Sequence, residues 1–99
     1  MGQTIEILKT ATIDHVLVVD TDRSLAGQDG ESYNGAEAAG RGTTFPAGLA
    51  TRLFDADDGI DRVFVMSNTV AVRRPRGWSE DAVDAITSVV ADFFRFYRE

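Results

Sequence analysis

Residues 45–74, FPAGLATRLFDADDGIDRVFVMSNTVAVRR, constrain the fold of this chain more than any other segment. The segment predicts a helix that begins at Pro46, because proline fits the first turn, where its missing N–H has no helical partner. Thr43 or Thr44 is placed to cap this helix, and residues 57–59 (Asp-Asp-Gly) end it.

Two short strands follow that helix. Residues 63–66 (VFVM) are apolar and rich in β-branched side chains, and Ser67-Asn68 forms a plausible two-residue turn. Residues 69–74 then alternate between apolar and other side chains, and Pro75 closes the strand because it cannot donate to a sheet. The whole segment therefore predicts a helix followed by an antiparallel hairpin.

A second helix is predicted over residues 79–97. Ser79 is a suitable N-cap, and Glu80 and Asp81 put negative charge in the first turn, where the helix dipole favours it. The apolar positions recur at helical spacing and form one stripe, which consists of Ala82, Val83, Ile86, Val89, Val90, Phe93, Phe94 and Tyr97. This helix should therefore bury one face against the core.

The first half of the chain is less regular. Residues 4–9 and 13–19 predict two strands with a break at Ala11-Thr12, whereas residues 20–44 are rich in glycine and predict a loop with a short edge strand at 31–34. Together the elements predict an α+β two-layer sandwich, in the order β-β-(β)-α-β-β-α. Its sheet has four to five mostly antiparallel strands, with two helices on one face.

Composition bounds the class of protein. Ninety-nine residues form one domain, 1–99, and the net charge of −6 argues against binding to nucleic acid or to anionic membranes. The absence of cysteine excludes disulfides, thiol catalysis and thiolate-held clusters within these residues. Without a signal-peptide pattern or a long apolar run, we expect a soluble, cytoplasmic protein.

Two groups of side chains are candidate sites. His15, with Asp14 beside it, is a weak metal candidate, since a strand would point the two side chains to opposite faces and a lone histidine is more often structural. The basic cluster of Arg62, Arg73, Arg74 and Arg76 is either a docking patch for an acidic partner or a phosphate, or a charged edge that discourages aggregation. No phosphate loop or nucleophile–base pair is readable, so we expect neither an enzyme nor a cofactor.

The second half of the chain carries a pattern of core and turn residues that is known from one family. The pattern is formed by Pro46, Leu49-Ala50, Leu53-Phe54, Gly59-Ile60, Val63-Phe64-Val65, Val70-Ala71-Val72, Trp78 and Phe93-Phe94. In this respect the chain resembles the N-terminal domain of the Nfu/NifU-type scaffold proteins of iron–sulfur cluster assembly. It departs from the family at residues 10–15, which lack the family's Thr-Pro-Asn-Pro-Asn segment, and at Ala47-Gly48, an apparent insertion.

The resemblance implies an accessory role. The Cys-x-x-Cys that holds the cluster in the family lies in a separate C-terminal domain, and no cysteine substitutes for it here. A stand-alone domain of this kind would bind protein partners, such as assembly factors or client proteins, without holding a cluster itself. Two alternatives are a self-associating structural or regulatory domain unrelated to iron, which would form homo-oligomers, and a small-ligand-binding protein that uses the loop at residues 20–44.

Overall fold

The computed structural model describes residues 6–22 and 24–96. Within them the chain forms β1 (Ile7–Ile13), β2 (Val16–Thr21), β3 (Glu31–Tyr33), α1 (Ala36–Gly40), α2 (Phe45–Ala56), β4 (Arg62–Met66), β5 (Thr69–Arg73) and α3 (Glu80–Phe96). The strands form one antiparallel sheet in the order β1-β2-β5-β4-β3. The predicted α+β sandwich is confirmed, and the short helix α1 is an addition to the two predicted helices.

One hydrophobic core joins the sheet to the helices. Alternate residues of β2, β4 and β5 are fully buried, namely Leu17, Val19, Val63, Val65, Val70 and Val72. The same core contains Leu49 and Leu53 of α2 and Ile86 and Val90 of α3. The helices therefore cover a single face of the sheet, as the period-two alternation of strand side chains requires.

Both long helices are capped as the sequence predicts. The Thr44 hydroxyl accepts a hydrogen bond from the Ala47 N–H at 3.3 Å, and the Ser79 hydroxyl accepts one from the Ala82 N–H at 3.1 Å. Helix α2 begins at Phe45, one residue before the predicted start. The predicted end of α3, Tyr97, lies outside the described residues.

In the first hairpin, the predicted position of the turn was wrong. Strand β1 continues through the expected break at Ala11-Thr12, and the chain turns instead at Asp14 and His15, between the paired residues Ile13 and Val16. Asp14 has a φ of 55°, a conformation that aspartate tolerates better than most residues. The N-terminal end of the first predicted strand, Thr4 and Ile5, lies outside the described residues.

The described part of segment 20–44 contains more structure than its composition predicts. Strand β3 pairs with β4 at the sheet edge, close to its predicted position, and α1 buries Ala39 in the core. The chain before β3 is held against the turn between β4 and β5, because the Ala26 N–H donates to the Ser67 carbonyl and the Ser67 N–H donates to the Gly27 carbonyl, each at 3.1 Å. Such backbone hydrogen bonds leave no side-chain pattern, so composition alone predicted a loop.

Gly30 gives the first testable prediction. It has a φ of +76°, and a Cβ added there would lie 2.8 Å from Phe64 Cζ and 2.9 Å from the Val65 carbonyl oxygen. Gly30→Ala should lower the free energy of unfolding by roughly 2–3 kcal/mol, from backbone strain and steric overlap together. Gly77→Ala is the matched control, because Gly77 has a φ of +86° with no atom within 4 Å, and should cost only about 1 kcal/mol. Equal losses in urea unfolding would contradict the steric part of the argument.

Candidate docking face

The sheet face opposite the helices is apolar at its centre, and we call it the open face. No described helix covers it. Its apolar side chains, each partly or largely exposed, are Ala11, Ile13, Val16, Val18, Phe64, Met66 and Ala71. Ile13 is 63% exposed and Met66 is 39% exposed, which is unusual for large apolar side chains. A contiguous apolar surface of this kind is typical of an interaction site.

Strand register arranges these side chains in rows across the sheet. Ala11 is paired with Val18, Val18 with Ala71, and Ala71 with Phe64, so an apolar row crosses four neighbouring strands. Ser32 on β3 continues this row beyond Phe64. The row gives the open face a flat apolar centre.

Two arginines lie at one end of the open face, and we call them the cationic end. Arg62 on β4 is paired directly with Arg73 on β5, in the same row as Val16 on β2. The Arg73 guanidinium lies 3.0 Å from the Asp61 carboxylate, and Arg62 Nε donates to Asn34 Oδ1 at 2.9 Å. Like charges directly across a sheet are unfavourable, so the cationic end remains a site where an added anion would be stabilising.

The balance of charge on the open face differs from that of the whole protein. At the end opposite the arginines, Lys9 is paired with Asp20, whose carboxylate accepts a hydrogen bond from the Thr69 hydroxyl at 2.8 Å. Among the described side chains that strand register places on this face, Lys9, Arg62 and Arg73 are cationic and Asp20 is anionic. Asp61 pairs with Arg73 at its edge, and the exposed Asp14 lies in the adjacent turn between β1 and β2. The chain as a whole has a net charge of −6, so this face is positive relative to the rest of the surface.

Arg74 does not belong to the cationic end, because its side chain contacts Asp57, Gly77 and Trp78 instead. Its Nε donates to Asp57 Oδ2 at 2.8 Å, its Nη1 donates to the Gly77 carbonyl at 2.7 Å, and its guanidinium lies 5.7 Å from the centre of the Trp78 ring. The side chains of Arg74 and Asp57 are only 19% and 17% exposed. Arg74 therefore joins secondary-structure elements, while Arg76 lies exposed in the turn after β5.

Asp14 and His15 form the turn between β1 and β2, and both are exposed. The His15 backbone has a structural role, since its carbonyl accepts hydrogen bonds from the Arg74 N–H at 2.9 Å and from Trp78 Nε1 at 3.0 Å. Within residues 6–22 and 24–96, no three side chains of metal-ligating type lie close enough together to hold an ion. The expectation that the two side chains point to opposite faces of a strand does not apply to a turn.

A shallow groove of about 340 Å³ lies between α2 and α3. Its lining residues are Arg52, Asp55, Ala56, Ser88, Val89 and Asp92. None of them comes from residues 20–44, where the sequence offered a ligand site as an alternative. The groove combines acidic and basic side chains and lies on the layer opposite the open face.

Tyr33, Glu31 and Thr44 form a polar cluster between β3 and the start of α2. The Tyr33 hydroxyl donates a hydrogen bond to the Glu31 carboxylate, and the Thr44 hydroxyl donates to the same oxygen at 2.7 Å. Burial, together with the hydrogen bond to Glu31, raises the pKa of the Tyr33 phenol. The cluster fastens the short edge strand to the N-cap of α2.

Sequence reasoning missed the open face, although a signal for it was present. Val16 and Val18 alternate with Leu17 and Val19, so β2 is apolar on both faces. In a two-layer sandwich one face of the sheet should be polar, and an inner strand that is apolar on both faces indicates that the second face is also covered or bound. Such a pattern could have directed attention to both faces of the sheet.

Comparison with known proteins supports the fold class that these elements define. No protein-family model matches the sequence, and a search of curated proteins returns no match. The structure of protein SAV1430 from Staphylococcus aureus is similar, with a TM-score of 0.62 and 10% sequence identity over 85% of this chain and 96% of that chain. At this identity the similarity shows the fold alone. The described helices include none with the length and apolar character needed to cross a bilayer.

The contacts of Arg74 predict a stability effect that Arg76 lacks. Arg74→Ala should lower the free energy of unfolding by roughly 2–4 kcal/mol, because it leaves the largely buried Asp57 carboxylate without its cation. Arg76→Ala, at an exposed turn, should change it by no more than about 0.5 kcal/mol. A double-mutant cycle of Arg74→Ala with Asp57→Ala in urea unfolding should give a coupling of about 1 kcal/mol or more, and additive effects would contradict the contact.

Tyr33 predicts a loss of stability at alkaline pH. Because its pKa is raised in the folded state, the folded protein keeps the phenolic proton above pH 10, where the unfolded chain releases it. The resulting stabilisation is fully present below the unfolded pKa of about 10 and is lost as the pH rises through the folded pKa. Between about pH 9 and 11.5, wild type should therefore lose stability more steeply than Tyr33→Phe in urea unfolding. Parallel curves for the two proteins would contradict the shift.

Proposed function

We propose that this chain is a non-catalytic protein-interaction domain that binds its partners through the open face, as an accessory to iron–sulfur cluster assembly. The open face supports the interaction role. The resemblance of the second half of the chain to the Nfu N-terminal domain supports the link to iron–sulfur cluster assembly. The proposed location is the cytoplasm.

The observation that carries the interaction role is the apolar row with a cationic end. Protein interfaces combine an apolar centre with a polar rim, and arginine is enriched in them relative to lysine. Here Phe64, Val18 and Ala71 form the centre, and Arg62 and Arg73 form part of the rim. The same side chains are poor choices for a surface that only has to remain solvated.

The lack of cysteine defines what the domain contributes to assembly. A cluster ligated by thiolates has to be held by another protein or by another part of the same assembly, because these 99 residues supply no thiolate. The proposed contribution of the domain is therefore recognition of a protein that carries, receives or delivers the cluster. Chemistry on the cluster belongs to that protein.

Self-association is a second candidate function, and it is favoured by a different observation. Strand β1 lies at the edge of the sheet, and Leu8 and Ile13 on it are 61% and 63% exposed. An edge strand with exposed apolar side chains can pair with the same strand of a second copy. This candidate predicts a dimer whose formation does not depend on Arg62 and Arg73.

An affinity capture from native cytosol tests the proposed function. The bait is the full chain, and the test variant is Arg62→Gln/Arg73→Gln, which keeps the aliphatic stems at the cationic end. The charge-matched control is Arg41→Gln/Arg52→Gln, which changes the end of α1 and the exposed part of α2. We expect wild type and control to recover identified cluster-assembly proteins or cluster-dependent enzymes, and the test variant to recover several-fold less of them.

Two results would contradict the proposal. Recovery of no cluster-related protein at several salt concentrations would remove the link to assembly. Equal recovery by the test variant would remove the cationic end from the interface. Sedimentation of the bait at increasing concentration, in parallel, measures whether a discrete homodimer forms and so tests the second candidate.

A further inference from the structure

We infer that the occupant of the open face is an acidic amphipathic helix of a partner protein. Its apolar stripe would lie on the row Ala11–Val18–Ala71–Phe64, and two of its carboxylates would pair with Arg62 and Arg73. This inference rests on the proposed function and specifies the chemistry of the partner.

The charged side chains of the open face indicate that a partner should carry negative charge. Lys9, Arg62 and Arg73 outnumber the anionic Asp20 and Asp61, and the two arginines face one another across the β4–β5 pair. On the described strands of this face, a second copy would offer these arginines the Asp20 carboxylate, which already accepts a hydrogen bond from Thr69. A partner segment with carboxylates instead relieves the repulsion at the cationic end, and this complementarity favours it over the second copy.

Spacing favours a helix over an irregular segment. Paired residues on neighbouring antiparallel strands have Cα atoms about 5 Å apart, so the side chains of Arg62 and Arg73 leave the sheet at that interval before Arg62 reaches Asn34 and Arg73 reaches Asp61. Acidic residues four positions apart on a helix have Cβ atoms about 5–6 Å apart on one side of the cylinder. One helical turn therefore places two acidic side chains at an interval close to that between the Arg62 and Arg73 Cα atoms.

Layer architecture gives the size of the helix. Five strands at a spacing of about 4.8 Å give a sheet about 19 Å wide, which a helix of about 13 residues crosses. The opposite face of the same sheet already packs against helices, with Val63 and Val65 of β4 fully buried there. An added helix would turn the two-layer sandwich into three layers around one sheet and would cover the apolar side chains that the second face now leaves partly exposed.

The test uses a synthetic helical peptide of about 14 residues, with a Leu/Ala stripe and two glutamates four positions apart beside it. A matched peptide has glutamine at these two positions. The ¹⁵N-labelled full chain is titrated with each peptide and followed by amide chemical shifts. We expect shifts centred on Val18, Ala71 and Phe64, and binding of the glutamate peptide at least about fivefold tighter than that of the glutamine peptide, as two exposed ion pairs allow.

The arginine variant completes a thermodynamic cycle. With Arg62→Gln/Arg73→Gln, the two peptides should bind equally, while Arg41→Gln/Arg52→Gln should keep the preference of wild type. Thermal unfolding of each variant checks that the fold is unchanged, which is expected because all four side chains are exposed. The cycle isolates recognition of the carboxylates from the general affinity of an apolar face.

Three results would overturn the inference. The peptides could bind wild type equally, the shifts could map to the helical layer, or the open-face amides could shift with protein concentration alone because a second copy occupies the face. The outcome is separable from that of the cytosolic capture. If the arginine variant fails to capture assembly proteins but the peptides show no preference for glutamate, the proposed function stands and the acidic helix is rejected. If the glutamate peptide is preferred but no assembly protein is captured, the acidic partner is supported and the link to cluster assembly is rejected.

Discussion

Arg74 and Asp57 connect four parts of the chain at one end of the sheet. Arg74 follows β5, Asp57 follows α2, and the Arg74 guanidinium also contacts the carbonyl of Gly77 and the ring of Trp78 just before α3. The backbone carbonyl of His15 adds the turn between β1 and β2 to this junction. Because neither charged side chain is largely exposed, the ion pair joins the point where the chain returns from α2 to the sheet to the point where it leaves the sheet for α3.

Local sequence patterns predicted most of the regular elements. They failed where contacts between residues distant in the sequence determine the local structure. The caps at Thr44 and Ser79 and the turn at Ser67-Asn68 are local signals, and the structure contains all of them. The turn at Asp14 depends on one residue's tolerance of positive φ, which hydrophobic periodicity does not detect. Helix α1 is too short to be stable alone and forms because Ala39 is buried by the rest of the fold.

The candidate site shows the same division between local and long-range information. The sequence grouped Arg62, Arg73, Arg74 and Arg76 because three of them are close neighbours in the chain and one lies on the adjacent strand. Only cross-strand register could show that Arg62 faces Arg73, and only the end of α2 could show that Arg74 has a carboxylate partner of its own. The two faces of the sheet consequently have different tasks. The face with Leu17 and Val70 is buried and stabilises the domain, and the face with Val18 and Ala71 is partly exposed and is the one proposed for recognition.

The strand order has a consequence for how the chain folds during synthesis. Strand β2 has β5 as its inner neighbour, and the paired residues Val19 and Val70 are separated by half of the chain. The N-terminal hairpin can form early, but its second strand waits for β5 to leave the ribosome before the sheet can close. Until then both faces of β2 are apolar and exposed, so the nascent chain presents a hairpin with unburied apolar side chains for several seconds at ordinary elongation rates. The interval before β5 emerges is therefore the stage of synthesis at which a chain of this topology is most exposed to aggregation.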